Sequence, residues 1–274
     1  MKYFLTLSVL IVFVQLTKQA ALENRIVNGE KVSINKYPYQ VFVLNDRQGC
    51  GGSIISKKCI LTAGHCVIKP DKYSEKTWVK QRPEEISITP GKSTIDHINS
   101  DILVEKINLH PNFKATCAFI NGVPSVSDMK NDIAIIVLKD QLEYSKKINK
   151  ISLPPQGESE SLLYGKTAIA TGYGMMSNNE RTEDLHAVKL TIPDADILCD
   201  DSENICLPKQ DNQRGICAGD SGGPLVINGV QYGITSGRIY QEDKPLCQFS
   251  TGFTFVNLIH YRQWISENSN VDEE

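Results

Sequence analysis

Cys217-Ala218-Gly219-Asp220-Ser221-Gly222-Gly223-Pro224 runs straight into the apolar segment Pro224 to Ile227, and the reading of this stretch decides the rest. A serine hydroxyl is a poor nucleophile until a neighbouring base takes its proton. That base must be held in one tautomer by an acceptor on its other nitrogen. Glycines on both sides of Ser221 leave backbone N–H groups open to an incoming oxygen and tolerate backbone angles closed to other residues. Taken singly, such a run is an ordinary turn, so its meaning depends on what stands elsewhere in the chain.

Two further segments complete it. Thr62-Ala63-Gly64-His65-Cys66 follows an apolar run, and Asn131-Asp132-Ile133-Ala134 opens another. A histidine beside a cysteine is usually a packed side chain, and an aspartate before a strand is usually a turn residue. The order His65, Asp132, Ser221 is far more specific, because it is the chain order of one known triad architecture.

The surrounding pattern is one of strands. Tyr39 to Leu44, Ser53 to Leu61, Ile86 to Thr89, Ile102 to Leu109, Ile133 to Leu138, Thr167 to Thr171, Pro224 to Ile227 and Tyr232 to Thr235 are all of strand length. They are rich in Val, Ile, Thr and Tyr and bounded by turn residues. Without amphipathic helices between them, they predict an all-β barrel or sandwich. Only Val256 to Glu267 has helical spacing, through Leu258, Tyr261, Trp264 and Ile265. Lys69 to Glu85 and Pro111 to Lys130 read as long loops, and Asn268 to Glu274 as a fraying acidic tail.

Composition narrows the class. A formal charge of -3 and the lack of a Lys/Arg cluster exclude a strongly basic nucleic-acid binder. Met1 to Ala21 has a positive start at Lys2, a short apolar run from Phe4 to Leu16 and small residues at Ala20 and Ala21. That is the pattern of a removable export signal, shorter than the roughly 20 apolar residues a spanning helix needs. No membrane span is expected. The eight cysteines, even in number behind an export signal, predict disulfides in an oxidising compartment. No zinc-type Cys spacing occurs, and Glu84 and Glu85 lack calcium-ligand spacing, so no metal or other cofactor is expected.

The motifs resemble those of the chymotrypsin/trypsin family of serine proteases, from Ile26 to about Glu267. The resemblance rests on Arg25-Ile26-Val27-Asn28-Gly29, Cys50-Gly51-Gly52-Ser53 and the His65, Asp132 and Ser221 segments, with Tyr261-Arg262-Gln263-Trp264-Ile265 at the end. It implies two six-stranded antiparallel β-barrels, their boundary near 140–155, with the site in the cleft between them and a C-terminal helix. It further implies a signal peptide over 1–21, an activation propeptide over 22–25 and a peptidase domain over 26–274. Ser221 would attack the scissile carbonyl, His65 would act as base and then acid, and Asp132 would orient His65. The N–H groups of Gly219 and Ser221 would form the oxyanion hole. Cleavage after Arg25 would free the ammonium of Ile26 to pair with Asp220, and Arg25 implies a trypsin-like activator. The family pattern suggests disulfides Cys50–Cys66, Cys199–Cys206 and Cys217–Cys247, leaving Cys59 and Cys117 to each other by elimination.

The chain departs from the family at the pocket for the residue before the cut bond. Gly215 stands where trypsin-like members carry aspartate, so no anion awaits Arg or Lys, and burying such a charge without a partner is expensive. Gly252 matches a small wall position that would leave the pocket open. Ser236-Gly237-Arg238 replaces the usual Ser-Trp-Gly, and Arg238 falls near the mouth. Arg238 has three readings: selecting acidic substrate residues, partly blocking the pocket, or pointing into solvent. The expectation is a secreted, monomeric serine endopeptidase of chymotrypsin- or elastase-like preference. Its partners would be protein or peptide substrates and protein inhibitors. The competing reading is a catalytically weak secreted homologue that binds partners. An esterase would present its serine in a strand-to-helix elbow, which is absent here.

Overall fold

The computed structural model describes residues 29–272 except 46–48, 72–73, 96–101, 121–122, 176–181, 195–198, 200–201, 211–213, 241–246, 248–249 and 270. The expected export signal and the activation site at Arg25 and Ile26 lie outside the described residues. Runs of branched and aromatic residues form strands because such side chains fill a pleated, half-buried surface. One sheet has the order β7 (Ser87–Pro90), β2 (Gln40–Leu44), β3 (Gly49–Ile54), β4 (Cys59–Thr62), β11 (Ala134–Leu138), β8 (Val104–Leu109). The other has the order β1 (Glu30–Lys31), β13 (His186–Thr191), β12 (Thr167–Gly172), β15 (Pro224–Ile227), β16 (Val230–Tyr240), β17 (Ser250–Asn257), β14 (Asn204–Pro208). Since β1 has two residues, each half contributes six longer strands, paired antiparallel throughout. The helix α1 (Leu258–Asn268) follows β17 and is capped by Asn257, whose side chain accepts from the Ile259 N–H at 3.1 Å.

The two segments expected as loops are hairpins. β5 (Ile68–Asp71) pairs with β6 (Ser74–Lys80), and β9 (Lys114–Ile120) with β10 (Val123–Lys130). Each forms its own two-stranded ribbon, so neither carries the alternation that a sheet packed on a core imposes. The run expected from Ser53 to Leu61 is likewise two strands, β3 and β4, turning at 55–58.

Val41, Val43, Ile54, Ile60, Leu61, Ile88 and Ile136 fill the first half, and Ala168, Ala170, Leu190, Ile205, Leu225 and Phe255 the second. The halves meet through small residues. A Cβ on Gly51 would lie 2.9 Å from Cα of Gly223, so only glycine lets β3 approach that turn. The Gly51 N–H donates to the Ser221 carbonyl at 2.7 Å, and the Thr171 hydroxyl donates to Gln40 Oε1 at 2.7 Å.

Disulfides join Cys50 to Cys66, Cys199 to Cys206 and Cys217 to Cys247. The expected pairing of Cys59 with Cys117 is corrected: Cys59 is a free thiol, 2% exposed in the core of the first half. The topology gives the reason. Cys59 sits in β4, between β3 and β11, whereas Cys117 belongs to the separate β9–β10 ribbon, opposite Val126.

Candidate active site

His65 sits in a single helical turn, Gly64–Val67, at the end of β4, and the Cys50–Cys66 disulfide ties this turn to β3. Asp132 lies two residues before β11, the neighbour of β4, so the pairing Ala134↔Thr62 brings both segments to one end of the sheet. The His65 N–H donates to Asp132 Oδ1 at 2.7 Å, and Nδ1 meets Oδ2 at 2.8 Å. With Nδ1 donating, Nε2 is the ring atom left to accept a proton. Asp132 is 2% exposed, and burial alone would raise its pKa. The charge of His65 and hydrogen bonds from His65 and Ser236 hold it below the ordinary carboxylate range.

Ser236 was expected in the pocket wall, but its hydroxyl donates to Asp132 Oδ2 at 2.7 Å. The cause is a bulge: Thr235 pairs with Phe255 and Gly237 with Thr254, so Ser236 is the extra residue of β16 and turns towards Asp132.

Ser221 lies on the turn before β15, half-buried. Gly219 has φ +98° and Gly222 φ +80°, both in the left-handed region. A Cβ on Gly222 would collide with Thr62 Oγ1 and the Gly51 carbonyl, which pins the turn against β3 and β4. The N–H groups of Asp220, Gly222 and Gly223 all donate to backbone carbonyls, whereas those of Gly219 and Ser221 meet no protein acceptor among the described residues. Two such donors beside a hydroxyl are the arrangement that receives a developing oxyanion. No hydrogen bond joins Ser221 Oγ to His65 among the described residues; such contacts often tighten only around substrate.

Asp220 is 1% exposed and accepts from the Gly174 N–H at 2.9 Å and the Cys217 N–H at 2.8 Å. Burial pushes its carboxyl up to about 6, against the pull of these two N–H groups and of the Arg238 charge. A Cβ on Gly174 would come within 2.5 Å of both carboxylate oxygens, so the site is shaped around this group.

The pocket residues are arranged otherwise than expected. A Cβ on Gly215 would collide with the tip of the Phe253 ring, at Cζ, 2.5 Å from Cε1 and 2.9 Å from Cε2. Gly252 instead sits opposite Pro208 and Ile239, and a Cβ there would meet the Leu207 carbonyl at 2.8 Å. Gly252 therefore does not open the space beside Gly215; the next residue, Phe253, fills it. Arg238 is directly opposite Phe253 across the β16–β17 pair, and opposed residues share a sheet face. Its guanidinium donates to Cys247 Sγ at 2.8 Å. The methyl of Met129, on β10, lies 3.8 Å from where a Cβ on Gly237 would sit, supplying apolar surface where the tryptophan is missing. Among the described residues Cys50, His65 and Cys66 cluster closely enough to suggest metal ligands, but both cysteines are spent in a disulfide.

Two antiparallel β halves with His, Asp and Ser segments brought to their junction define a class, and comparison with known proteins agrees with it. A family model described as Trypsin matches residues 26–265. The mouse (Mus musculus) kallikrein 1-related peptidase b8 is 28% identical over 256 residues, covering 90% of each chain. A chymotrypsin of Phaedon cochleariae is 29% identical over 259 residues, covering 89% of this chain and 82% of the relative. The crystal structure of the scabies mite inactivated protease paralogue S-D1 superposes with a TM-score of 0.64 at 24% identity. It covers 88% of this chain and 95% of that one, which is a likeness of fold. This chain belongs to the trypsin family.

Proposed function

We propose that this chain is a secreted serine endopeptidase, made as a precursor with a signal peptide over 1–21, a propeptide over 22–25 and a peptidase domain over 26–274. The observation that carries the reading is the buried His65–Asp132 pair at 2.8 Å, with a third donor from Ser236, beside a serine turn with two N–H groups to spare. Ser221 attacks the carbonyl as His65 Nε2 takes its proton, and Asp132 stabilises the imidazolium that results. The N–H groups of Gly219 and Ser221 hold the oxyanion, and His65 returns the proton to the leaving amine. The acyl-enzyme is then hydrolysed by the same groups. Three disulfides suit an oxidising, extracellular setting. Proteins or peptides are the substrates, a trypsin-like protease the activator and protein inhibitors further partners of a monomer.

Activation follows from Asp220. While Ile26 is joined to Arg25 it has no ammonium, and Asp220 is a buried acid held at about 6. Cutting after Arg25 supplies the cation that a buried carboxylate needs. The precursor should show the unpaired state in its stability. A folded pKa above the ordinary 3.8 means that the folded chain binds more protons than the unfolded between about pH 4 and 6. Asp220 therefore removes stability as pH rises through that window, by about 3 kcal/mol in all. Urea unfolding of the uncut chain and of Asp220→Asn across this range should show the fall in the parent alone. An equal slope in both contradicts the assignment.

The filled space beside Gly215 favours a second reading, a catalytically weak homologue that binds partners. Hydrolysis of an unstructured protein such as casein by the chain cut after Arg25, with Ser221→Ala as blank, decides between them. Hydrolysis by the cut parent alone supports the enzyme. Rates equal to the blank leave the binding reading.

A further inference from the structure

Phe253 carries a consequence that Gly215 alone does not suggest. A pocket lacking an anion at its base reads as an apolar cavity for large side chains. Here the absent side chain of Gly215 is replaced by a ring from across the pocket. Phe253 is 2% exposed, packed with Ile216, Leu207 and Phe255, so it is a permanent part of the second half's core and not a mobile lid. On the same face, half-buried Arg238 reaches the Cys217–Cys247 disulfide, and its charge is felt at Asp220. The ring thus meets Gly215 and the guanidinium meets the disulfide, from opposed positions of β17 and β16.

We propose that Phe253 is the specificity-determining residue of this protease, and that with Arg238 above it the pocket accepts only glycine or alanine before the cut bond. The proposal deepens the endopeptidase reading and rests on it. Selection against larger residues is steric: an added methylene that cannot be seated changes discrimination by about 10- to 200-fold. Affinity lost at this pocket has to come from neighbouring substrate residues, for which Met129 and the β9–β10 ribbon offer a surface beside Gly237.

The test uses the full chain cut after Arg25 and a peptide series differing only in the residue before the cut bond: Gly, Ala, Leu, Phe, Arg and Asp. The parent should cleave the Gly and Ala peptides with kcat/KM at least 100-fold above Leu and Phe. Phe253→Ala should raise kcat/KM for Leu and Phe relative to Ala at least tenfold. Phe253→Val, which keeps the site apolar, covers the case in which the alanine variant does not fold, and should move the profile the same way by less. Equal cleavage after Ala and Phe by the parent, a preference for Asp or Arg, or an unchanged profile in a folded variant overturns the proposal. A small fluorophosphonate, which needs no pocket, separates this failure from failure of catalysis. If Ser221 is not labelled, the endopeptidase reading fails and the pocket is read by binding of the same peptides to Ser221→Ala. Adding Phe253→Val should then tighten the Phe peptide at least tenfold over the Ala peptide, and no change overturns the proposal.

Discussion

Ser221→Ala is expected to lower kcat of the activated chain by about 10⁶-fold, the scale at which removing one member disables a whole triad. Its melting temperature should stay within a few degrees of the parent. The reason lies in how the turn is held. Gly222 and Gly223 are fixed by backbone bonds to Thr235 and Asp220, and the Ser221 carbonyl, which the substitution retains, receives the Gly51 N–H. The hydroxyl has no part in that network among the described residues. Steady-state kinetics on the best peptide, with thermal melts of both proteins, checks both halves. Because the groups act as a unit, adding His65→Ala should cause little further loss. A tenfold effect for Ser221→Ala would mean that the observed hydrolysis belongs to another nucleophile.

Asp132→Asn is expected to reduce kcat by about 10⁴-fold with little change in KM, a magnitude taken from the general behaviour of such triads. Asp132 accepts three hydrogen bonds, from the His65 N–H, His65 Nδ1 and the Ser236 hydroxyl. An asparagine has one acceptor oxygen and one NH₂. If the NH₂ faces Nδ1, that atom becomes an acceptor, the ring proton moves to Nε2, and His65 can no longer take a proton from Ser221. Ser236→Ala removes one of the three bonds and leaves the tautomer alone, so its loss should be far smaller. Kinetics of both variants tests the ordering, and equal losses would contradict the tautomer argument.

The serine turn, the histidine turn and the acid before β11 were legible in the sequence because each depends on local chemistry. Glycines permit φ +98° at residue 219 and +80° at residue 222, and an apolar strand adjoins each segment. The barrels were legible from short strands rich in Val, Ile and Thr. The β5–β6 and β9–β10 ribbons were hidden because their sequences lack a sustained apolar alternation, which is the signal that identifies a strand. Cys59 was misread because elimination counts cysteines without regard to which sheet they occupy. Phe253 was missed for a register reason. Gly252 and Phe253 are adjacent on β17, and a one-residue shift exchanges the face towards Gly215 for the face towards Pro208 and Ile239. The bulge at Ser236 was hidden likewise, since only pairing with β17 reveals the extra residue.

On the proposed reading, cleavage after Arg25 gives the buried Asp220 its cation and so makes it the support of a working Ser221. The most direct measurement is the rate at which a small fluorophosphonate labels the chain before and after that cut, with the adduct located by peptide mass spectrometry. One equivalent on Ser221 is expected after cleavage, with labelling at least 100-fold slower before it. No adduct on Ser221 after cleavage, or the same rate in both forms, would contradict that reading.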